Sequence, residues 1–197
     1  MAILEWVAVS AIVITSVGML IARDWRVSVS FLAVQYLAMF ALLLAHFPLG
    51  MASVKVVAGW MSCAIIGMTR SELPDDSEDE GIWPRGRLFR LFTAAMVGLI
   101  VAGATPKVEN IMADAGIAVT GGALLMIGMG LLHLGVTSNI LRVTQGLMTV
   151  LAGFEVLYAT VEGSVLVAAL LAVITLGLAL VGAYLMLASN SSTTENP

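Results

Sequence analysis

The sequence predicts an all-α integral membrane protein of seven transmembrane helices, with its amino terminus outside and its carboxyl terminus in the cytoplasm. Three observations predict this. Of 197 residues, 60% are hydrophobic and 11% charged, whereas a soluble domain is roughly 45–50% apolar and about a quarter charged. A chain this short cannot hide so much apolar surface in one core, and lipid removes the need to. The apolar residues fall into seven stretches close to the length of about 20 residues that a spanning helix requires. The basic residues gather at alternate ends of those stretches.

Helix 1 is expected over Ile3–Ala22, stopping at Arg23-Asp24-Trp25-Arg26. Glu5 and no basic residue precede its apolar run, which reads as a retained membrane helix and not as a cleaved signal. Helix 2 is expected over Val27–Phe47, ending at Pro48-Leu49-Gly50, and helix 3 over Met51–Thr69, so that residues 1–69 form three amino-terminal spans. Residues 70–87 form an acidic loop with Glu72, Asp75, Asp76, Glu78, Asp79 and Glu80, then Trp83, Arg85 and Arg87, with Arg90 just beyond. It reads either as a solvated loop or as a docking strip for a partner subunit. Trp25 and Trp83 have the character of interface anchors. Helix 4 with its outer turn occupies 88–111, the helix being Leu88–Ala104 with a stop at Thr105-Pro106-Lys107. The stretch Val108–Ala115, with Glu109, Asn110 and Asp114, reads as an interfacial turn or as the first turn of helix 5. Residues 112–188 hold the last three spans: Met112–Leu134, Asn139–Val161 and Ser164–Ala188. The small, polar tail 189–197 is expected to be disordered. Unpaired backbone groups are too costly in hydrocarbon for anything but helix here, and no stretch alternates as a strand would.

With seven spans, the first, third and fifth loops and the adjoining helix ends share one side. That side carries Arg23, Arg26, Arg70, Arg85, Arg87, Arg90 and Arg142, seven of the nine basic residues. The positive-inside rule places it in the cytoplasm. An even number of helices would divide these arginines between the two sides. The expected location is the cell (inner) membrane, multi-pass.

Net charge of −4, much of it from one loop, argues against a nucleic-acid surface. The single cysteine, Cys63, forms no internal disulfide and reads as a packing residue. No metal-ligand spacing, phosphate-binding glycine motif or nucleophile–base pairing is present, and no cofactor is expected.

Ionisable groups within a bilayer are costly and are therefore the first candidates for function. Glu155, about two-thirds along helix 6, is the leading one, as a proton-exchanging carboxyl group. Gln145, Met148 and Ala152 share its broad face by helical spacing, and Gln145 and Thr149 are the expected polar lining. Lys55 lies one turn inside helix 3. It either snorkels to the outer interface on its long stem or pairs inward with a carboxylate such as Glu155. His133, at the cytoplasmic end of helix 5, and His46, at the outer end of helix 2, either pass protons or sit at the interface. Glu5 and Glu162 lie near the outer boundary. Gln35, Tyr36, Ser62, Thr120 and Thr149 are candidates for bonds between helices. Gly121, Gly122, Gly128, Gly130, Gly177 and Gly182 permit close helix approach.

The carboxyl-terminal third carries Asn139-Ile140-Leu141-Arg142, then Gly146, then Val173-Ile174-Thr175. In this it resembles the three-helix subunit K of respiratory complex I and the related C-type subunit of the multisubunit sodium/proton antiporters. The longer E-type membrane subunit of hydrogenase-4 and formate hydrogenlyase is similar in length and in its third-helix lysine, which Lys55-Val56-Val57 matches. The resemblance covers about Gly122–Leu187, and more weakly residues 1–70. It implies a cytoplasmic turn at Asn139 and Arg142 opening the middle helix, with Gly146 following. It also implies a place in the membrane arm of a proton- or sodium-translocating complex, beside other membrane subunits of antiporter type. There are departures. Met148, not glutamate, follows Gly146-Leu147, and the carboxylate, Glu155, lies two turns deeper. Helix 7 has no ionisable side chain except Tyr184. The chain is then either part of a rearranged ion path through Glu155, Lys55 and His133, or a structural subunit of an oxidoreductase or ion-translocating complex. The alternative is a self-contained small transporter or membrane receptor, which lacks support from any inverted repeat or pair of broken helices.

Overall fold

A computed structural model describes residues 2–73, 86–112 and 115–194. Among them are seven helices: α1 (Ala2–Ile21), α2 (Trp25–Leu43), α3 (Leu49–Glu72), α4 (Arg87–Ile111), α5 (Ile117–Val136), α6 (Ile140–Val161) and α7 (Val165–Thr194). All seven are long and apolar enough to cross a membrane. Asp75, Asp76, Glu78, Asp79, Glu80, Trp83, Arg85 and Asp114 lie outside the described residues.

The helix starts follow local chemistry. Asp24 caps α2 by accepting from the Arg26 N–H at 2.9 Å, and Asn139 caps α6 by accepting from the Arg142 N–H at 3.4 Å. Gly116, at φ 82°, turns the chain into α5 through a conformation that a side chain would strain.

Four boundaries differ from the sequence expectation by more than a helical turn. The second helix stops at Leu43, and residues 44–47 tighten into turns closed by bonds such as Ala45 N–H to Leu42 O. The fourth does not stop at Thr105-Pro106-Lys107 but continues to Ile111. Proline removes one backbone donor, and Thr105 Oγ1 donates to Val101 O one turn back at 2.7 Å. The fifth therefore begins at Ile117, after the Gly116 turn, and not at Met112. The seventh runs on through Ser189–Thr194, where disorder was expected from composition. There Ser189 and Ser191 donate to the carbonyls of Met186 and Ala188, so the serines bond back into the helix.

Helices α1, α2, α5 and α6 form the centre. The α3·α7 pair closes one side, α3 resting on α2 and α7 on α6, and α4 lies at the opposite edge against α5 and α1. Within the carboxyl-terminal three helices, α5 and α6 pack together, and α7 packs on α6 and chiefly on α3. Of the best spanning window, 61% is buried in α6 and 17% in α4, so α6 is the axis of the bundle and α4 its periphery. Side chains such as Ile14, Leu99, Ile100, Leu166, Val173 and Val181 leave an apolar exterior.

Glycines set the closest approach. A Cβ on Gly153 would meet Ala123 O at 2.7 Å, and one on Gly130 would meet Gly146 O at 2.9 Å, so the α5·α6 backbones nearly touch. Gly122 and Gly128 similarly receive Leu42 and Val97, and Gly182 receives Thr144. Gly177 does not serve close packing: nothing lies within 4 Å of its Cβ position.

Candidate functional site

The helix stack brings together two of the charges that lie within apolar helices. Lys55 Nζ of α3 lies 2.9 Å from Glu155 Oε1 of α6, with each side chain 3% exposed. Lys55 therefore points inward and does not snorkel, and Glu155 faces protein, while its neighbour Phe154 faces outward. The contact is a close ion pair. The pair is electrically neutral as a unit, which is how two ions persist in an apolar interior.

Packing positions both partners. Gly59, one turn beyond Lys55, lets the Tyr36 ring press against the α3 backbone. Tyr36 is 3% exposed and within electrostatic reach of Glu155, and its hydroxyl has no hydrogen-bond partner among the described residues. Thr175 of α7 stands against the Glu155 carboxylate, and Ser62 Oγ donates to Thr175 O at 3.3 Å, tying α3 to α7 beside the pair. Cys63 is buried in the same region of α3.

A polar seam leads from this pair toward the arginine-rich end. Gln145 is fully buried, and its Oε1 accepts from Ser28 Oγ of α2 at 2.7 Å. Thr149 is buried, but its hydroxyl donates to Gln145 O of its own helix and not across to another. Gln35 Nε2 donates to Ser16 Oγ of α1 at 3.1 Å. Gln145 Nε2, Gln35 Oε1 and Thr120 Oγ1 have no partner among the described residues.

The other candidates assemble separately, about 20 Å from Glu155 along α6 by the rise from Arg142. His133, in the last turn of α5, is 5% exposed beside Arg142 and Arg90, and so is not a surface interface residue. Arg142 Nη2 donates to Ala22 O at 2.8 Å, and Arg90 Nη1 donates to Leu20 O at 3.0 Å. Two guanidinium groups thus hold the carboxyl end of α1, where the helix dipole favours cations. Asn139 caps α6 in this cluster, and Gly146 faces Gly130 and Leu134. His46, beyond α2, is half-buried and apart from both groups.

Tyr36, Thr175, Ser28 and Arg90 belong to these sites although sequence reasoning named none of them as a relay or lining residue. One signal was available: Ser28 and Gln35 are seven residues apart and therefore share a face of α2. Among the described residues, no group of three or more His, Cys, Asp or Glu side chains could hold a metal ion. Comparisons with protein-family models, curated proteins and solved structures found no match to this chain.

Proposed function

We propose that this chain is a membrane-arm subunit of a proton- or sodium-translocating energy-coupling complex, with the Lys55–Glu155 pair as its relay. The observation that carries this reading is the pair itself: opposite charges 2.9 Å apart and almost fully withdrawn from the surface. Such a pair has two states. A proton delivered to the Glu155 carboxylate neutralises it and frees the Lys55 ammonium, which passes its own proton to another acceptor; the carboxyl proton then moves to the neutral Lys55 amine and restores the ion pair. Tyr36, Gln145 and Gln35 supply donor and acceptor positions for water along the seam. His133 stands at the arginine-rich end, which we assign to the cytoplasm of a cell (inner) membrane by the positive-inside rule. The amino terminus is then outside and the carboxyl terminus inside. The resemblance of Asn139-Ile140-Leu141-Arg142, Gly146 and Lys55 to the E-type membrane subunit of hydrogenase-4 and its complex I and antiporter relatives supports the same assignment.

A second reading is favoured by the lack of any ionisable side chain on α7 except Tyr184: a structural subunit of the same assembly, in which the ion pair fixes the register of α3 against α6. Glu155→Gln separates the two. The chain is purified with its partners in mild detergent, the partners are identified, and proton or sodium flux is followed in everted vesicles. Loss of flux with intact assembly supports the relay. Unchanged flux with intact assembly removes Glu155 from any path. A protein that purifies alone and homogeneous refutes the subunit assignment and leaves a self-contained transporter or receptor.

A further inference from the structure

A groove of about 600 Å³ opens sideways between α1, the start of α2 and the start of α4. It is lined by Ile14, Val17, Gly18 and Phe31 and, at the ends of α1 and α4, by Arg23 and Arg87. The apolar part and the charged part lie at opposite ends. From Ile14 to Arg23 the rise of α1 is about 14 Å, close to half of the roughly 30 Å hydrocarbon thickness of a bilayer. The groove therefore spans one leaflet. Gly18 makes room for it, because the Phe31 ring reaches to within 2.7 Å of its Cβ position and forms the floor.

Both arginines are exposed, and neither makes a hydrogen bond or ion pair among the described residues. This sets them apart from Arg90 and Arg142, which are committed to α1 carbonyls. Trp25, with the Arg26 guanidinium 5.3 Å over its ring, lies at the same level and marks it as the headgroup region. An apolar slot one leaflet deep beneath two uncommitted guanidiniums is complementary to one class of molecule. We infer that this groove binds an anionic phospholipid, its acyl chain along α1 and its phosphate between Arg23 and Arg87. The inference rests on membrane embedding alone, so it stands or falls separately from ion translocation.

The test titrates the delipidated, purified protein with phosphatidylglycerol or phosphatidylcholine and counts bound lipid by native mass spectrometry. One phosphatidylglycerol is expected to be held roughly thirtyfold more tightly than phosphatidylcholine, a little over about fivefold for each arginine. Arg23→Gln/Arg87→Gln should abolish the preference, and Arg23→Lys/Arg87→Lys should keep most of it, which separates charge from misfolding. Ile14→Trp, at a site 65% exposed, fills the slot and should weaken both lipids. Equal binding of the two lipids, or a preference that survives the double glutamine variant, overturns the proposal. So does an Ile14→Trp variant that binds like the parent, since the arginines would then attract lipid without a groove.

Discussion

The Lys55–Glu155 pair should behave as one unit in a double-mutant cycle of Lys55→Met and Glu155→Gln. At 2.9 Å, an effective dielectric of about 20 gives an attraction of about 6 kcal/mol. Desolvation of the two ions takes back several kcal/mol, so the net worth of the pair is small. Removing one partner leaves the other charge buried alone, at about 3–5 kcal/mol. Removing both leaves two uncharged side chains of similar volume, and the double variant should lie within about 2 kcal/mol of the parent. The expected coupling is therefore at least about 3 kcal/mol, far above the few tenths seen for independent sites. Unfolding is followed by helix circular dichroism as sodium dodecyl sulfate is titrated into neutral-detergent micelles. Single variants each losing under about 1 kcal/mol, with additive effects, would falsify the inward pairing and return Lys55 to the interface.

Three further outcomes follow from other contacts. Arg142→Gln removes the 2.8 Å bond to Ala22 O and should cost about 1.5–3 kcal/mol in the same titration, with Arg142→Lys recovering part of it. Gly153→Ala drives a methyl group into Ala123 O and should cost about 1–3 kcal/mol, whereas Gly177→Ala, with nothing within 4 Å, should be neutral or slightly stabilising. Cys63, 6% exposed, should resist maleimide in the folded protein and react as detergent unfolds it; rapid labelling of the native form would contradict the α3 packing.

The helices were legible because hydrocarbon thickness and backbone satisfaction leave few alternatives to an apolar run of spanning length. The boundaries that escaped were set by local chemistry that hydropathy ignores. Pro106 interrupts one bond without ending α4, and the serines after Ala188 bond back into α7. Glu155 stood out because a carboxylate in an apolar run has few inexpensive places to point. The direction of Lys55 did not, since a lysine one turn inside a helix reaches either water or a partner, and only tertiary packing decides. Arg142 was visible as a charge but not as a clasp, because the carbonyl it holds, Ala22 O, leaves no mark in the sequence. Arg23 and Arg87 were counted together with the other arginines, and only the bundle separates committed guanidiniums from free ones.

The two clasps on α1 also set a clock for synthesis. Arg90 is 70 residues and Arg142 120 residues downstream of the carbonyls they hold. At roughly 5–20 residues per second, the second clasp reaches the translocon about 6–24 s after the end of α1. Within that interval Arg90 alone can hold α1, and the seat is completed only when Arg142 arrives. Lys55 likewise waits for its carboxylate. A ribosome stalled between α4 and α6 should hold a nascent chain in which the Arg90 clasp can close while Arg142 and Glu155 are still to come.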